Sequence, residues 1–271
     1  MSNFFKQFPK VEYDFNRKGV LQNMTDIFRS VRALPAFLDD FNSYTFYQVR
    51  NGERPDIVSQ RLYGNQDYYW TFFIINDFLH DGYREWPLTE ENLFDCIAKD
   101  FSGFAITTNP VVRRDSDGIV RDHENSLAGR FQIGETVVGS ISGATGTLTK
   151  KNIDMNQLVI QNTTGTFLGD PTAIDDASEL IIGQTTNDSV STHRVFKYAD
   201  APYYYYVEGD AEKKPVTNGI HITGGVAESN LAYITNRAHQ IELNDNRSRI
   251  RIVDPNYITQ FVRKFRQLIN E

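Results

Sequence analysis

The sequence predicts an α+β protein, and three observations carry that prediction. Thirteen aromatic residues lie between Phe41 and Trp86, many at the three- and four-residue spacings of helices. Residues 128–192 instead hold β-branched runs divided by glycines, which is typical of tight hairpins. The carboxyl end carries a single apolar helical stripe. We expect an amino-terminal region at 1–127, an inserted β module at 128–192 and a carboxyl-terminal region at 193–271.

The aromatic region has a strand–helix–helix pattern. Tyr44–Arg50 reads as a strand, and Pro55 is favoured in the first turn of the helix that follows. Gly64 ends that helix as a left-handed cap, and Asn65 caps a second helix. The side chains expected on one face of the second helix are Tyr68, Tyr69, Phe72, Phe73 and Asn76.

A third helix is predicted beyond these two. Tyr83–Trp86 reads as a short extended segment, and Thr89 is a suitable cap for a helix over Glu90–Lys99. Within that helix we expect Cys96 to pack in the core as a small apolar side chain. The core face is predicted to be Leu93, Phe94 and Ile97.

The glycine-rich module contains a faint internal repeat. Glu135-Thr-Val-Val-Gly139 resembles Glu179-Leu-Ile-Ile-Gly183, and Leu158–Ile160 provides a further strand between them. We predict a small all-β barrel or sandwich. A solenoid is the rival, but two copies are fewer than stacking requires.

The carboxyl end combines a strand and an amphipathic helix. Ser248–Val253 alternates apolar and polar side chains, as a strand does. Asp254 is the expected N-cap, with Pro255 at the first helical position. The apolar stripe of the helix is Ile258, Phe261, Val262, Phe265, Leu268 and Ile269.

Charge and composition exclude several classes of function. The chain has 28 basic and 35 acidic residues, a net charge of -7, so we expect no nucleic-acid partner. Its longest bulky apolar run, Phe72–Ile75, is far below the ~18 residues of a membrane helix. Cys96 is the only cysteine, which excludes a disulfide framework and paired-thiolate zinc sites and favours an intracellular compartment.

No pattern in the sequence predicts catalysis. The five histidines form no i, i+4 pair, and neither a Gly-x-Ser-x-Gly nor a Gly-x-x-x-x-Gly-Lys-Ser/Thr motif occurs. We therefore expect no catalytic residues, no cofactor and no metal. The chain instead contains 14 tyrosines, a residue type that is enriched at protein interfaces.

Three motifs resemble a known family. They are Asn23-Met-Thr-Asp-Ile-Phe-Arg29, the run from Tyr47 to Asn65 that ends Leu-Tyr-Gly-Asn, and Tyr69-Trp-Thr-Phe-Phe-Ile-Ile-Asn-Asp77. Together they resemble the LysM-like baseplate wedge subunit of T-even-type contractile-tailed bacteriophages. Ile241–Val253 and Ile258–Val262 are similar to the last strand and helix of that subunit. The resemblance covers about 3–105 well and 195–271 loosely, and the β module departs from it.

The resemblance implies a structural virion protein with a LysM-like βααβ unit at about 44–88. Such a subunit binds other wedge proteins and copies in neighbouring wedges, with six copies around the tail axis and no membrane contact. It is located in the tail baseplate and assembles in the host cytoplasm. The alternative is a peptidoglycan-binding LysM module of a tail-tip or lytic protein. That alternative predicts a sugar groove between Asn51–Arg54 and the end of the second helix.

Large aromatic and apolar side chains are the usual anchors of protein interfaces. The residues expected to contact neighbouring proteins are Tyr47, Tyr63, Tyr69, Trp70, Trp86, Tyr257, Phe261, Phe265 and Leu268.

Overall fold

The computed structural model describes residues 8–15, 17–26, 44–108, 111–114, 120–124, 127–169, 178–216 and 231–270. The chain divides into two compact units. Unit 1 comprises Met1–Asn92 and Glu242–Glu271, and unit 2 comprises Leu93–Ile241. Unit 2 is thus an insertion in the sequence of unit 1.

Helices and strands both contribute to the described part of the chain. The helices are α1 (Pro55–Tyr63), α2 (Trp70–Ile75), α3 (Glu90–Asp100), α4 (Asn236–Ser248) and α5 (Ile258–Asn270). The strands are β1 (Lys10–Tyr13), β2 (Gln22–Thr25), β3 (Tyr44–Gln48), β4 (Phe104–Thr108), β5 (Val111–Arg114), β6 (Val120–Glu124), β7 (Thr136–Gly139), β8 (Thr145–Asn152), β9 (Gln157–Thr164), β10 (Leu180–Gly183), β11 (Ser189–Lys197), β12 (Pro202–Val207), β13 (Leu231–Thr235) and β14 (Arg249–Val253). The mixture confirms the predicted α+β class.

Unit 1 is built on a two-stranded antiparallel sheet in which β3 pairs with β14. The order β3, α1, α2, β14 is therefore a βααβ arrangement whose last strand comes from the carboxyl end of the chain. The extended segment predicted at Tyr83–Trp86 was wrong, because Gly82–Arg84 forms a 3-10 turn instead. The βααβ unit was expected to lie within residues 44–88. Its last strand is instead β14, which lies about 200 residues after β3 in the chain.

The predicted caps set the limits of α1 and the turn after it. Gly64 has φ 66°, and its N–H donates to the carbonyl of Gln60, so the helix ends in the expected left-handed cap. The Asn65 side chain then accepts from the N–H of Asp67 at 2.9 Å. It caps a 3-10 turn at Gln66–Tyr68, and α2 begins only at Trp70.

Two apolar layers meet on α2. Phe72, which is fully buried, packs in one cluster with Ile250 and Ile252 of β14. Trp70 packs in a second cluster with α5, where its ring centroid lies 4.5 Å from that of Phe265. The short helix α2 therefore contributes to both halves of the core of unit 1.

Helix α3 has a narrower core face than the sequence indicated. The Thr89 hydroxyl accepts from the N–H of Asn92 at 3.2 Å. Leu93 and Ile97 are buried, but Phe94 is 41% exposed and Cys96 is exposed. The prediction that Phe94 and Cys96 lie in the core was therefore wrong. The stripe is centred between Leu93 and Ile97, and at about 100° per residue the other two side chains lie roughly 80° to either side of it.

Helix α5 begins later than its sequence cap suggested. Asp254 accepts from the N–H of Asn256 at 2.8 Å through its side chain and from Tyr257 at 2.9 Å through its carbonyl. These bonds form a turn, and the helix starts at Ile258. Its buried side chains are Ile258, Phe261, Val262, Phe265 and Ile269.

Unit 2 contains a closed six-stranded barrel with the order β10-β11-β4-β9-β8-β7. The barrel prediction is confirmed over the sandwich and the solenoid. The predicted limits of 128 and 192 need correction, because Phe104–Thr108 is one of the six strands and β11 continues to Lys197. A closed barrel leaves no unpaired edge, and β4 fills the position between β9 and β11.

The weak repeat corresponds to two hairpins, β7–β8 and β10–β11, joined where β7 pairs with β10. Each hairpin is preceded by a buried glutamate that binds the turn of the other one. Glu179 accepts from the N–H groups of Ile141 and Ser142 at 3.1 and 2.9 Å. Glu135 accepts from those of Thr185 and Thr186, each at 3.2 Å. The two halves therefore cap one another reciprocally.

Candidate interaction surfaces

A polar network lies at the start of the βααβ arrangement. The Tyr47 hydroxyl donates to Glu53 Oε2 at 2.8 Å, and the N–H of Arg50 donates to the same oxygen at 3.0 Å. Arg61 donates to the Tyr47 hydroxyl at 2.9 Å and forms an ion pair with Glu53 Oε1. The network ties the loop before α1 to strand β3 and to the last turn of α1.

The network perturbs the acidity of its members. Burial acts to raise the pKa of Glu53, but hydrogen bonds from Arg50, Tyr47 and Arg61 outweigh it and hold the pKa below its ordinary value. For Tyr47, burial and then the hydrogen bond to Glu53 raise the pKa. Both shifts preserve the protonation states that the hydrogen bonds require: Glu53 ionised and Tyr47 neutral.

A groove of about 330 Å³ lies beside this loop in unit 1. One wall is the run Gly52–Pro55, and the other is formed by Tyr83, Trp86–Thr89 and Asn92. Tyr83 is 56% exposed, whereas Trp86 is 6% exposed and donates its indole N–H to the carbonyl of Glu53 at 2.7 Å. The flat ring available for stacking is therefore that of Tyr83.

Four of the nine expected interface residues are buried inside the chain itself. Trp70, Trp86, Phe261 and Phe265 are only 3–6% exposed. The expectation that they anchor a partner is corrected, because they form the core of unit 1. An apolar stripe at helical spacing has the same sequence pattern whether its partner is the same chain or another one.

The other five expected residues retain some exposed surface. Tyr257 is 41% exposed, and the remainder are half-buried. Tyr63 donates its hydroxyl to the carbonyl of Val253 at 3.0 Å, and burial raises its pKa. The Tyr69 ring packs against that of Tyr83 in a tilted arrangement, with the centroids 5.9 Å apart. The half-buried residues are Tyr47, Tyr63, Tyr69 and Leu268.

The most exposed apolar surface was not identified from the sequence. Strands β1 and β2 form a two-stranded antiparallel hairpin in which every strand residue is exposed. Short alternating strands normally bury one face, so the sequence pattern gave no reason to expect both faces in water. The apolar residues exposed along the hairpin and its turn, at 43–69%, are Val11, Tyr13, Phe15, Val20, Leu21 and Met24.

A wider cavity of about 700 Å³ lies in unit 2, beside the barrel. The Lys150 ammonium faces it 3.5 Å from the Tyr198 hydroxyl, and Gln157 donates to the carbonyl of Pro202 at 3.5 Å. Tyr203 also lines the cavity and stacks on His239, with the ring centroids 4.0 Å apart. The side chains of Lys150, Gln157 and Tyr203 thus each contact another residue of the same chain.

One group of potential metal ligands occurs among the described residues: His80, Asp81 and Glu85, whose ligand atoms lie within 4.8 Å of one another. His80 Nε2 is 3.2 Å from Asp81 and Nδ1 is 3.5 Å from Glu85. Glu85 also pairs with Arg247 at 3.4 Å. Polar contacts within the chain, including the hydrogen bond from the N–H of Asp81 to Glu85 at 3.0 Å, account for the arrangement. Histidine spacing in the sequence did not predict this group, because His80 has no second histidine at i+4.

An exposed apolar surface such as that of the hairpin is typical of proteins that bind other proteins. Residues 3–107 match the family model described as base plate wedge protein 53. The match confirms the resemblance to a baseplate wedge subunit over these residues and supports a structural role in a bacteriophage baseplate. No curated protein matches the chain. Among the described residues, every helix is too short or too polar to cross a bilayer.

Proposed function

We propose that the chain joins baseplate wedges by binding neighbouring wedge proteins and copies of itself in adjacent wedges, with six copies around the tail axis. It acts by binding and not by catalysis, and it assembles into the virion from the host cytoplasm. The observation that carries this proposal is the exposed β1–β2 hairpin, which lies within the residues matched to the wedge family.

The low stability expected of the hairpin by itself supports a contact with a partner. An isolated two-stranded hairpin is marginally stable in water, because it has no layer on which to bury its apolar face. Here Val11 lies directly opposite Met24, and both side chains are exposed. Covering apolar surface contributes roughly 25 cal/mol per Å², so a partner would stabilise the hairpin as it binds.

The βααβ arrangement of unit 1 supports the LysM-like part of the proposal. Its order is strand, two helices and a second strand antiparallel to the first. In the proposed role this arrangement serves as a rigid protein-binding module. Its own aromatic residues form the core, and the hairpin supplies the contact.

The test is incorporation into baseplates in cells that supply the chain to a phage lacking it. Replacing Val20 and Leu21 by Asp should reduce incorporation at least about tenfold, because two charges would enter the apolar contact. The matched control, Lys18→Ser with Gln22→Asp, changes the net charge equally and keeps every apolar side chain. Equal incorporation of both variants would refute the hairpin as the contact.

The groove at Gly52–Pro55 favours a second candidate function, binding of a peptidoglycan glycan. It lies beside the loop for which that hypothesis predicts a sugar site, and Tyr83 offers an exposed ring. Co-sedimentation of the purified chain with peptidoglycan tests this function. Binding that is lost in Tyr83→Ala would support a glycan site, whereas no sedimentation of the wild-type chain would exclude it.

A further inference from the structure

The outer face of the β3–β14 sheet carries an unusual combination of side chains. Register places Phe46 opposite Arg251, and alternation puts Tyr44 and Arg249 on the same side. Ile250 and Ile252, which point the other way, are buried in the core. We call the half-buried Tyr44 and the exposed Phe46, Arg249 and Arg251 the arginine–aromatic face.

Its four members contact one another. The Arg249 guanidinium lies 4.7 Å from the centroid of the Phe46 ring, and that of Arg251 lies 5.3 Å from the Tyr44 ring. The two rings meet edge to face at 6.1 Å. Such cation–π contacts place each guanidinium over a ring and leave N–H donors available to a ligand.

Neither arginine has a carboxylate partner among the described residues, although several other arginines do. Arg61 pairs with Glu53, Arg237 with Asp200 and Arg247 with Glu85. Because the chain carries seven more acidic than basic residues, two adjacent arginines without carboxylates are not a result of excess positive charge. The face therefore has the charge complementary to an acidic ligand.

The outer edge of β14 limits how a ligand can approach. At Arg251 both backbone groups on that edge are bound by the side chain of Asn76, at 2.8 and 2.9 Å. A further strand cannot pair there without displacing Asn76. The ligand must lie across the face, where Arg249 and Arg251 are spaced by two strand residues, about 6.6 Å.

We propose that the arginine–aromatic face docks an acidic, extended segment of a neighbouring baseplate protein. Two carboxylates on alternate residues of that segment would each bind one guanidinium, and an apolar side chain would cover Phe46, which is 50% exposed. This inference rests on the proposed function, since it names the chemistry of a partner within the baseplate.

The test places a photo-cross-linking amino acid at position 46 of the full chain, in cells producing the phage. Mass spectrometry of purified baseplates should identify a cross-linked peptide with at least two carboxylates near the attachment point. Arg249→Glu with Arg251→Glu should reduce the cross-link at least about tenfold. Arg249→Lys with Arg251→Lys, which keeps the charge but loses the planar fork, should reduce it several-fold.

Two controls make the result specific. Arg263→Glu with Lys264→Glu applies the same change of charge to exposed residues of α5 and should leave the cross-link unchanged. The same cross-linker at Ile57, 48% exposed in the same unit, measures capture by chance. Urea unfolding of each variant verifies that the chain remains folded.

The outcomes separate this inference from the proposed function. If the chain enters baseplates but position 46 cross-links to nothing, to a peptide without acidic residues or to nucleic acid, the docking proposal is overturned while the wedge function stands. Cross-linking that persists in the doubly reversed variant also overturns it. If the wild-type chain is missing from purified baseplates, the wedge function itself fails.

Discussion

The side chain of Asn76 binds the backbone of Arg251 in the way that a neighbouring strand would. Asn76 Nδ2 donates to the Arg251 carbonyl at 2.9 Å, and the Arg251 N–H donates to Asn76 Oδ1 at 2.8 Å. The amide also donates to the carbonyl of Phe72 at 2.8 Å and is 2% exposed. One residue thus ends α2 and closes the edge of β14, which gives the asparagine of the Ile-Ile-Asn-Asp motif a structural role.

Asn76→Ala should lower the free energy of unfolding by about 2–3 kcal/mol, because it leaves the N–H and the carbonyl of Arg251 without their side-chain partners. Asn256→Ala, at an exposed asparagine of the same unit, should change it by less than about 0.5 kcal/mol. Urea unfolding followed by tryptophan fluorescence measures both, since Trp70 and Trp86 both lie in unit 1. Similar midpoints for the two variants would contradict the role assigned to Asn76.

Glu179→Gln and Glu135→Gln should each lower the stability of the barrel by about 1–3 kcal/mol. A carboxylate accepts on both oxygens, whereas an amide directs its NH₂ at N–H donors such as those of Ile141 or Thr185. Thermal unfolding monitored by circular dichroism is the measurement, and Glu208→Gln, at an exposed position, is the control. A barrel that tolerates both substitutions would show that the reciprocal caps contribute little.

The Glu53 network predicts a dependence of stability on pH. Because the pKa of Glu53 is lower in the folded chain than its ordinary value of 4.5, the folded state binds the proton more weakly than the unfolded state. The contribution of Glu53 is therefore complete above about pH 4.5 and is lost as the pH falls through the lower, folded pKa. Unfolding experiments between pH 3 and 6 should show a shallower loss of stability in Glu53→Gln. Parallel curves for the two proteins would argue against the network.

Phe265→Ala distinguishes a core role from an interface role. Phe265 is 4% exposed and packs on Trp70, so its removal should cost the isolated chain about 3–5 kcal/mol and alter its tryptophan emission. Tyr257→Ala, 41% exposed, should have little effect on either. An unchanged midpoint for Phe265→Ala would instead restore the original expectation that Phe265 contacts a partner.

Local sequence signals predicted local structure well. Pro55 and Gly64 mark the limits of α1, and Thr89 caps α3, because each depends on backbone geometry within one turn. The repeat at Glu135 and Glu179 identified two hairpins of the barrel for the same reason. Phe104–Thr108 was missed because a five-residue apolar strand carries no sign of a partner 50 residues away.

The candidate surfaces were less predictable than the elements that carry them. The spacing of apolar residues indicated that Trp70, Phe261 and Phe265 are buried. It did not reveal that Trp70 packs against the two phenylalanines of the same chain. The arginine–aromatic face joins β3 and β14, which are separated by about 200 residues. Its arginines were visible in the sequence only as the polar half of an alternating strand.

The sequence alone determined the family resemblance, the α+β class and the limits of α1 and α3. The two helix limits were predictable because they depend on contacts between residues near in the chain. Tertiary structure alone decided that β14 completes the first sheet, that β4 closes the barrel and which aromatic residues face water. Each of these depends on a pairing between distant segments. Such a pairing forms because it buries apolar side chains and satisfies backbone hydrogen bonds in the complete fold. A local sequence pattern does not predict it.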